Sequence, residues 1–585
     1  MLRARRPGLG AIGVGAALVM VAGGTTACGA GTDAGDPGFE DCATDPVACN
    51  SGERADGGEI TWGIDGSWTG WNPNRSAEYT VYALQVTAPY WPAVGQFDQQ
   101  ADWVVNDAIF AEDPELVNES PMQVEYTLNP DANWGDGNPI GLDDFVYTWY
   151  ARSGDTALCD GCTPAAATAA EVASIEEGRT ADKVVITYTD AYASSEWKYE
   201  PVLSNPAHIA DEQGLDWKND PAAMTAAEEY FSATVPTWSA GPFKMADGKT
   251  GEYAIFEPNE DWAGSAEVTL DKLTLKSFDS LESIITEIRQ GNVDGASPGN
   301  ISAENVVQLA GEGGINFNVD RGPLWHHIDI NVNNEFLSDP ALRTAVFQAI
   351  DVEEIIARTY ANVQSDASRK LNHLYRNDSP SFQDHITSTG QGAGDMEMAR
   401  DTLLAADYDW DDEGRLRDPE GELVTFNYRY ADGSDDRQTM ADLVAFNLAD
   451  IGIQVELKSF PAAELGPTLN DSNFDMVAFG WTSQPVIVNS ARQFWASDAP
   501  TNYGRLDDPE LDALIDSLAL EPDPDKAALI GNQIAEQVVQ DAYQLPLVNT
   551  PVAIIATPEL VNVRDNWASQ QRALYNVAEW GIRAA

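Results

Sequence analysis

Hydrophobic and polar positions along this chain switch repeatedly between the period of a strand and the period of a helix. Val124-Glu-Tyr-Thr-Leu128, Val184-Val-Ile-Thr-Tyr188 and Ile453-Gln-Val-Glu-Leu457 carry strand chemistry, clearest where apolar residues alternate. Helical stretches are as plain. Asp339-Pro340 supplies an N-cap and a first-turn proline, and Leu342, Ala345, Val346, Ala349 and Ile350 follow on one face. Asp508-Pro509 does the same before Leu511, Leu514, Ile515 and Leu518. The chain is therefore mixed α/β. It shows no internal repeat and no long low-complexity break, so its domains are expected to interrupt one another rather than follow in series.

The first residues follow a different pattern. A basic start, Met1 to Arg6, leads into the uncharged run Gly8 to Gly24, and the small residues Thr25-Thr26-Ala27 precede Cys28. This predicts an export signal over 1–27, since the run is too short and too rich in Gly and Ala for a spanning helix. Small residues before a cysteine resemble the lipobox of bacterial lipoproteins, in which the thiol is acylated and becomes the N-terminus on the outer face of the membrane. Thr25 stands where that motif commonly has an aliphatic residue. Gly29 to Gly38 is small and turn-forming, and 28–57 is expected to be a flexible tether.

Of five cysteines, Cys28 apart, four remain: Cys42, Cys49, Cys159 and Cys162. In an oxidising compartment the simplest pairing is two local disulfides, Cys42 to Cys49 and Cys159 to Cys162. The Cys159-Asp-Gly-Cys162 spacing also fits redox or zinc chemistry, but it lies in a loop rather than at a strand-to-helix turn, and no second ligand pair is suitably spaced.

Charge narrows the partners. With 94 acidic and 33 basic residues the formal net charge is −61, which repels phosphate backbones and anionic head groups and argues against nucleic acid as a partner. Only 10 of the basic residues are lysines, a balance that fits an exported protein of a GC-rich or salt-tolerant organism. Beyond the tether, more than 500 residues remain, enough for two or three domains with substantial cores.

One ordered series of motifs runs through the chain. Gly58-Glu-Ile-Thr-Trp62 and Trp71-Asn-Pro73 come first, then Tyr126 to Ile140 with Trp134-Gly-Asp-Gly, then Asp144-Phe-Val-Tyr-Thr-Trp149. Ser239-Ala-Gly-Pro-Phe-Lys244, Asn259-Glu-Asp-Trp262, Gly291-Asn-Val-Asp294, Asp329-Ile-Asn-Val-Asn333 and Leu342-Arg-Thr-Ala345 running to Asp351 follow. Phe474-Asp-Met-Val-Ala-Phe-Gly-Trp481, Asn502-Tyr-Gly504, Asp508 to Asp512 and Leu545-Pro-Leu547 complete it. From about residue 58 onward the series resembles the family-5 extracellular solute-binding proteins, the oligopeptide and dipeptide receptors of ABC importers, and most closely their actinobacterial branch.

The resemblance implies an α/β, two-lobed periplasmic-binding-protein-like fold of type II, cluster C, with the ligand cleft between lobes. Lobe I would take 58–325, with a subdomain inserted at about 80–230, and 547–585; lobe II would take 326–546. It implies a monomer without cofactor that delivers a peptide or other small solute to a membrane permease and its ATPase. Peptides in such clefts are held through main-chain hydrogen bonds to a strand, and the matching strand here is Phe474 to Trp481. Gly480 would let a ligand backbone approach, Trp481 would form an aromatic wall, and Thr482, Ser483 and Gln484 would extend it. At Gln484 peptide receptors commonly place an Asp for the ligand's α-amino group, and a neutral amide binds an ammonium group less strongly than a carboxylate does. Ser67, Trp68, Trp71, Trp325 and His326 are further cleft candidates. Adjacent side chains of an extended segment point to opposite faces, which argues against a metal at His326-His327.

Three other readings stay open on sequence. Asp409, Asp411, Glu413 and Glu420 have nearly the spacing of an EF-hand calcium loop with Gly414 sixth, although Pro419 and a following strand depart from it. Gly295-Ala-Ser297-Pro-Gly299 has the letters of a hydrolase nucleophile elbow, but Pro298 and Gly299 oppose the helix an elbow needs, which leaves a secreted hydrolase as a remote alternative. The nearer alternative is a lipoprotein of the same fold that regulates the cell envelope by binding a glycan or glycolipid.

Overall fold

The computed structural model describes residues 38 to 584 except 40, 43, 44, 165–168, 191, 312, 462 and 463. The export signal, Thr25 and Cys28 lie outside the described residues. Among the described residues no helix is long and apolar enough to cross a membrane.

A ten-stranded mixed sheet runs through both halves of the molecule. Its centre is a pair of long antiparallel strands, Asn316–Ile330 and Gln544–Ala556, the second buried along its whole length. Their pairing slips between Arg321 and Trp325, so that Arg321 faces Pro551 while Trp325 faces Asn549. Gly322-Pro323-Leu324 occupies the slip, and Pro323 and Pro551 donate no backbone hydrogen bond there. The bulge divides the pair into two halves belonging to different lobes.

Below the bulge the first lobe is built on Glu59–Ile64, flanked in parallel by Lys272–Ser277 and Gly295–Ala296. Its core packs Trp62, Trp68, Trp71, Tyr90 and Trp580, with the Trp62 and Trp580 rings 4.6 Å apart. Beyond the bulge Thr425–Ala431 lies parallel to both Gln454–Phe460 and Met476–Thr482. Helices Pro340–Ala349, Val352–Thr359 and Asp435–Asp450 cover one face of this second lobe, and Val488–Trp495, Pro509–Ala519 and Pro524–Gln540 contribute to the core on the other. The Asp-Pro helix starts form as the sequence predicts: Asp339 Oδ1 accepts from Ala341 N at 2.9 Å and Asp508 Oδ1 from Glu510 N at 2.8 Å.

A four-stranded antiparallel sheet of Glu115–Glu119, Met122–Thr127, Lys183–Tyr188 and Val172–Glu177 forms the inserted subdomain. Met122, Val124 and Tyr126 alternate inward against Val184, Ile186 and Tyr188. Its core runs from Val94 to Ala240, whereas helix Val81–Thr87 packs into the first-lobe core.

The described part of 38–57 departs from the tether reading. Cys42 and Cys49 are bonded and buried, Asn50 Nδ2 donates to Val563 O at 3.1 Å, and Arg54 bridges to Arg583. The disulfide closes this segment on itself, and backbone pairing and hydrogen bonds fasten it to the C-terminal return of the chain. Cys159 is bonded to Cys162, and the loop between them is fixed to helix Pro221–Ala233, with Gly161 N donating to Thr225 Oγ1 at 2.9 Å.

Asp409–Trp410 and Leu416–Arg417 pair as a small hairpin in place of an EF-hand loop. Arg415 Nε and Arg417 Nη2 each donate to Asp411 Oδ2 at 3.0 Å, and Arg415 also pairs with Glu413. With the Arg415 amide and both guanidinium groups on it, Asp411 is held down to about 2. Its charge is spent on arginine, and among the described residues no cluster of acids, His or Cys is arranged to hold a metal. Ser297 is likewise no elbow: it follows the short strand Gly295–Ala296, and the next helix begins only at Ala303.

Candidate functional site

A cleft of about 410 Å³ opens where the inserted subdomain, the body of the first lobe and the second lobe meet. The volume is in the usual range for a small-ligand site. Its second-lobe wall is short and neutral: Gln484, Pro485, Val486 and Asn489, delivered by the end of strand Met476–Thr482 and the start of helix Val488–Trp495.

The opposite wall carries the charge. Asp144 Oδ2 accepts from Gly141 N at 2.9 Å and from Trp134 Nε1 at 3.3 Å, which fixes the start of helix Leu142–Arg152. That helix ends at Arg152, whose Nη1 donates to Asn74 Oδ1 at 3.0 Å. Asn74 is placed by the Trp71-Asn72-Pro73 motif: buried Asn72 donates Nδ2 to Glu228 Oε2 at 2.9 Å and accepts from Asn74 N at 3.2 Å. Asn74 itself is 1% exposed, and its Nδ2 has no partner.

Glu196 and Glu200 flank the single turn Trp197–Tyr199 on the same wall. Burial pushes Glu200 up to about 7; the Tyr192 hydroxyl, donating at 3.2 Å, and the Arg152 charge work against this, while Glu196 adds to it. Burial also pushes Glu196 up to about 7, although its Oε1 accepts from Ile487 N at 2.5 Å and Val488 N at 3.0 Å. Those two amides belong to the second lobe, at the start of its helix. Glu196 therefore ties the subdomain to the opposite lobe across the cleft.

Phe97, Trp103 and Tyr199 form an aromatic wall beside these acids, with ring centroids 4.7 to 5.3 Å apart. Phe97 and Trp103 sit on the hairpin Gly95–Phe97/Trp103–Val105, which is bound to the C-terminal segment through Asn566 Nδ2 to Phe97 O at 2.8 Å and Gln96 Nε2 to Tyr575 O at 3.0 Å. A Cβ at Gly95 would lie 2.4 Å from Val104 O, so only glycine lets this hairpin close. On its far side a second cavity of about 710 Å³ shares Trp91, Gly95 and Gln96 with the cleft.

A model of the bacterial extracellular solute-binding proteins, family 5, matches residues 109–503. This chain belongs to that family. Family-5 proteins bind solutes for ABC importers rather than catalyse reactions, and substrate binding for such an importer is this chain's role. It is 28% identical over 457 residues to the oligopeptide-binding protein OppA of Mycobacterium bovis, covering 77% of this chain and 72% of that one. The structure of the periplasmic EDTA-binding protein EppA superposes with a TM-score of 0.82 at 27% identity, covering 92% of this chain and 99% of that one. The oligopeptide-binding protein AppA of Bacillus subtilis, solved with a nonapeptide, shares the fold, with a TM-score of 0.67 at 18% identity over 91% of this chain and 100% of that one. The architecture is thus the two-lobed type II periplasmic-binding-protein fold.

Within this family-5 fold the residues expected in the cleft divide sharply. Gln484 lines it. Trp68 and Trp71 do not: they are 2% and 1% exposed, packed edge to face in the first-lobe core, and Ser67 lies on an exposed turn over Gly251. Trp325 is fully buried in the second-lobe core, with the Lys370 ammonium 5.2 Å from its ring. His326 Nδ1 lies 2.7 Å from Tyr360 Oη on the opposite face, and burial, with repulsion from Arg437 and His327, pushes it down to about 3. Gly480 is needed for strand packing, since a Cβ there would lie 2.9 Å from the His326 ring. Trp481 stacks on Phe494 at 4.6 Å and Tyr503 at 5.8 Å, Thr482 is exposed outside the lining, and Ser483 is buried with its amide on Pro323 O. Asn74, Phe97, Trp103, Arg152, Glu196, Tyr199 and Glu200 escaped the sequence reading, because no motif links segments so far apart along the chain.

Proposed function

We propose that this protein captures peptides between its lobes and presents them to a membrane permease and ATPase, held at the outer face of the cytoplasmic membrane by a lipid on Cys28. The observation that carries this reading is a cleft bounded by both lobes whose walls offer hydrogen-bonding groups of both signs: carboxylates at Glu196 and Glu200, a guanidinium at Arg152, and amides at Asn74 and Gln484. A peptide presents the matching set, ammonium, carboxylate and main-chain amides, and the OppA relative supports the same substrate class. An anionic metal chelate is a poorer match, because the acidic groups of the lining, Glu196 and Glu200, outnumber its one guanidinium, Arg152. The bulged strands at Arg321 to Trp325 are the expected hinge for closure over the ligand.

Thermal unfolding of the purified protein against a peptide library tests this. Selected peptides are expected to raise Tm, and to raise it further with the logarithm of their concentration once that exceeds Kd, as ligands that bind only the folded state must. A shift with a glycan or glycolipid, and none with any peptide, sinks the proposal. The anchor is tested separately: detergent, but not washing, should release the mature protein from cells.

A further inference from the structure

Resting on the reading of the cleft as a peptide site, we propose that its subdomain wall holds a subsite for a cationic group of the ligand, an ammonium or guanidinium. Glu200 and the Phe97, Trp103 and Tyr199 rings form it, and Asn74 with Arg152 takes an adjacent ligand carbonyl or carboxylate.

The argument starts from Asn74. Its Oδ1 is occupied by Arg152, yet its Nδ2 is buried in the cleft lining with no acceptor, a costly arrangement that a ligand oxygen would relieve. Beside it, Glu200 is partly buried and its Oε1 accepts from the Tyr192 hydroxyl at 3.2 Å. Around Glu200 stand Glu196, Arg152 and the hydroxyls of Tyr192, Tyr126 and Tyr188; Tyr79 and Glu228 act on Arg152 in turn. Two carboxyls share one guanidinium there, a shortfall of positive charge that burial answers by pushing both carboxyls toward their neutral form. A cation placed against the carboxylate would correct it, and the Phe97, Trp103 and Tyr199 rings that line the same cleft offer faces to a cation held there. The second-lobe wall has no comparable group, since Gln484 is neutral. The acid absent from one wall is thus present on the other.

Because burial and Glu196 hold the Glu200 carboxyl up near 7, a cationic ligand must displace a proton below that pH. Preference for a cationic over a neutral ligand should therefore grow as pH rises through about 7.

Titration calorimetry with matched pentapeptides tests the subsite. The N-acetylated peptide with a central lysine is compared with its norleucine analogue, and each with its free-amino form. The expected result is a preference of about tenfold or more for the charged member of a pair, growing between about pH 6 and pH 8. Glu200→Gln should reduce it to less than about twofold. Acetylation distinguishes the sources: loss of preference on acetylation assigns the subsite to the α-amino group, and persistence assigns it to a side chain. If peptides bind but charged and neutral members agree within about twofold in the unsubstituted protein, the subsite is wrong and the peptide reading stands. If no peptide binds but spermidine stabilises the protein and not its Glu200→Gln variant, the subsite stands and the peptide reading falls. Silence from both overturns both.

Discussion

The two walls of the cleft meet the same ligand and are built on opposite principles. The second-lobe wall follows the end of the Phe474 to Trp481 strand motif, yet what it brings to the cleft is an amide, a proline, a valine and an asparagine. The subdomain wall draws on scattered segments: Arg152 from the end of the helix that carries the Asp144 to Trp149 motif, Glu196 and Glu200 from either side of a single turn, and Phe97 and Trp103 from a short hairpin. The strand motif owes its pattern to packing: Gly480 and Trp481 satisfy the neighbouring strand and a stack of rings. Charge selectivity then falls to the wall that is free of that duty.

The strongest way to break this comparison is to show that the residues behind the neutral wall touch ligand. Trp325→Ala empties a fully buried site in the second-lobe core and should cost about 3–5 kcal/mol of stability. Chemical denaturation measures it. Protein that remains folded should keep its ligand affinity; a large loss of affinity with little loss of stability would place Trp325 in the site after all.

The same division explains what could be read from the sequence. Strand alternation around Tyr126, the Asp-Pro helix starts and the paired cysteines are local signals, and each appears where its local physics requires. Large aromatic residues near a motif were ambiguous, because a tryptophan fills a core as readily as it lines a cleft. Trp68, Trp71 and Trp325 fill cores. The charged wall was illegible for another reason. Asn74 and Glu200 meet only in the folded cleft, where Asn74 is fixed by hydrogen bonds with Asn72 and Arg152 and Glu200 by the Tyr192 hydroxyl.

A smaller effect should follow from the contact that joins the walls. Glu196→Ala removes the acceptor for Ile487 N and Val488 N, which should disfavour closure by about 1–2 kcal/mol. Closed and open populations, read by fluorescence transfer between labels on the two lobes, should shift by roughly five- to thirtyfold. In the closed form Glu196 is held up to about 7, first by burial, whereas in an open, hydrated form it would return toward the ordinary glutamate value of about 4.3. Its contribution to closure is therefore full below the ordinary value and is lost as pH rises through about 7. Because one oxygen accepts both amides, Glu196→Gln should retain closure and lose the pH dependence. Unchanged pH dependence in that variant would assign it to another group.

The smallest effect should come from the neutral wall itself. Gln484→Ala removes an amide whose hydrogen bonds to a ligand replace hydrogen bonds to water, so the expected loss is about 0.5–1.5 kcal/mol, for cationic and neutral peptides alike. Placing an acid there sharpens the contrast. In the Glu200→Gln background, Gln484→Asp restores a carboxylate to the cleft but on the wrong wall, away from the aromatic rings and Asn74. Preference for the charged pentapeptide should not return. Recovery to the level of the unsubstituted protein would mean that either wall can hold the cation, and that the cleft senses net charge rather than the place where the charge is fixed.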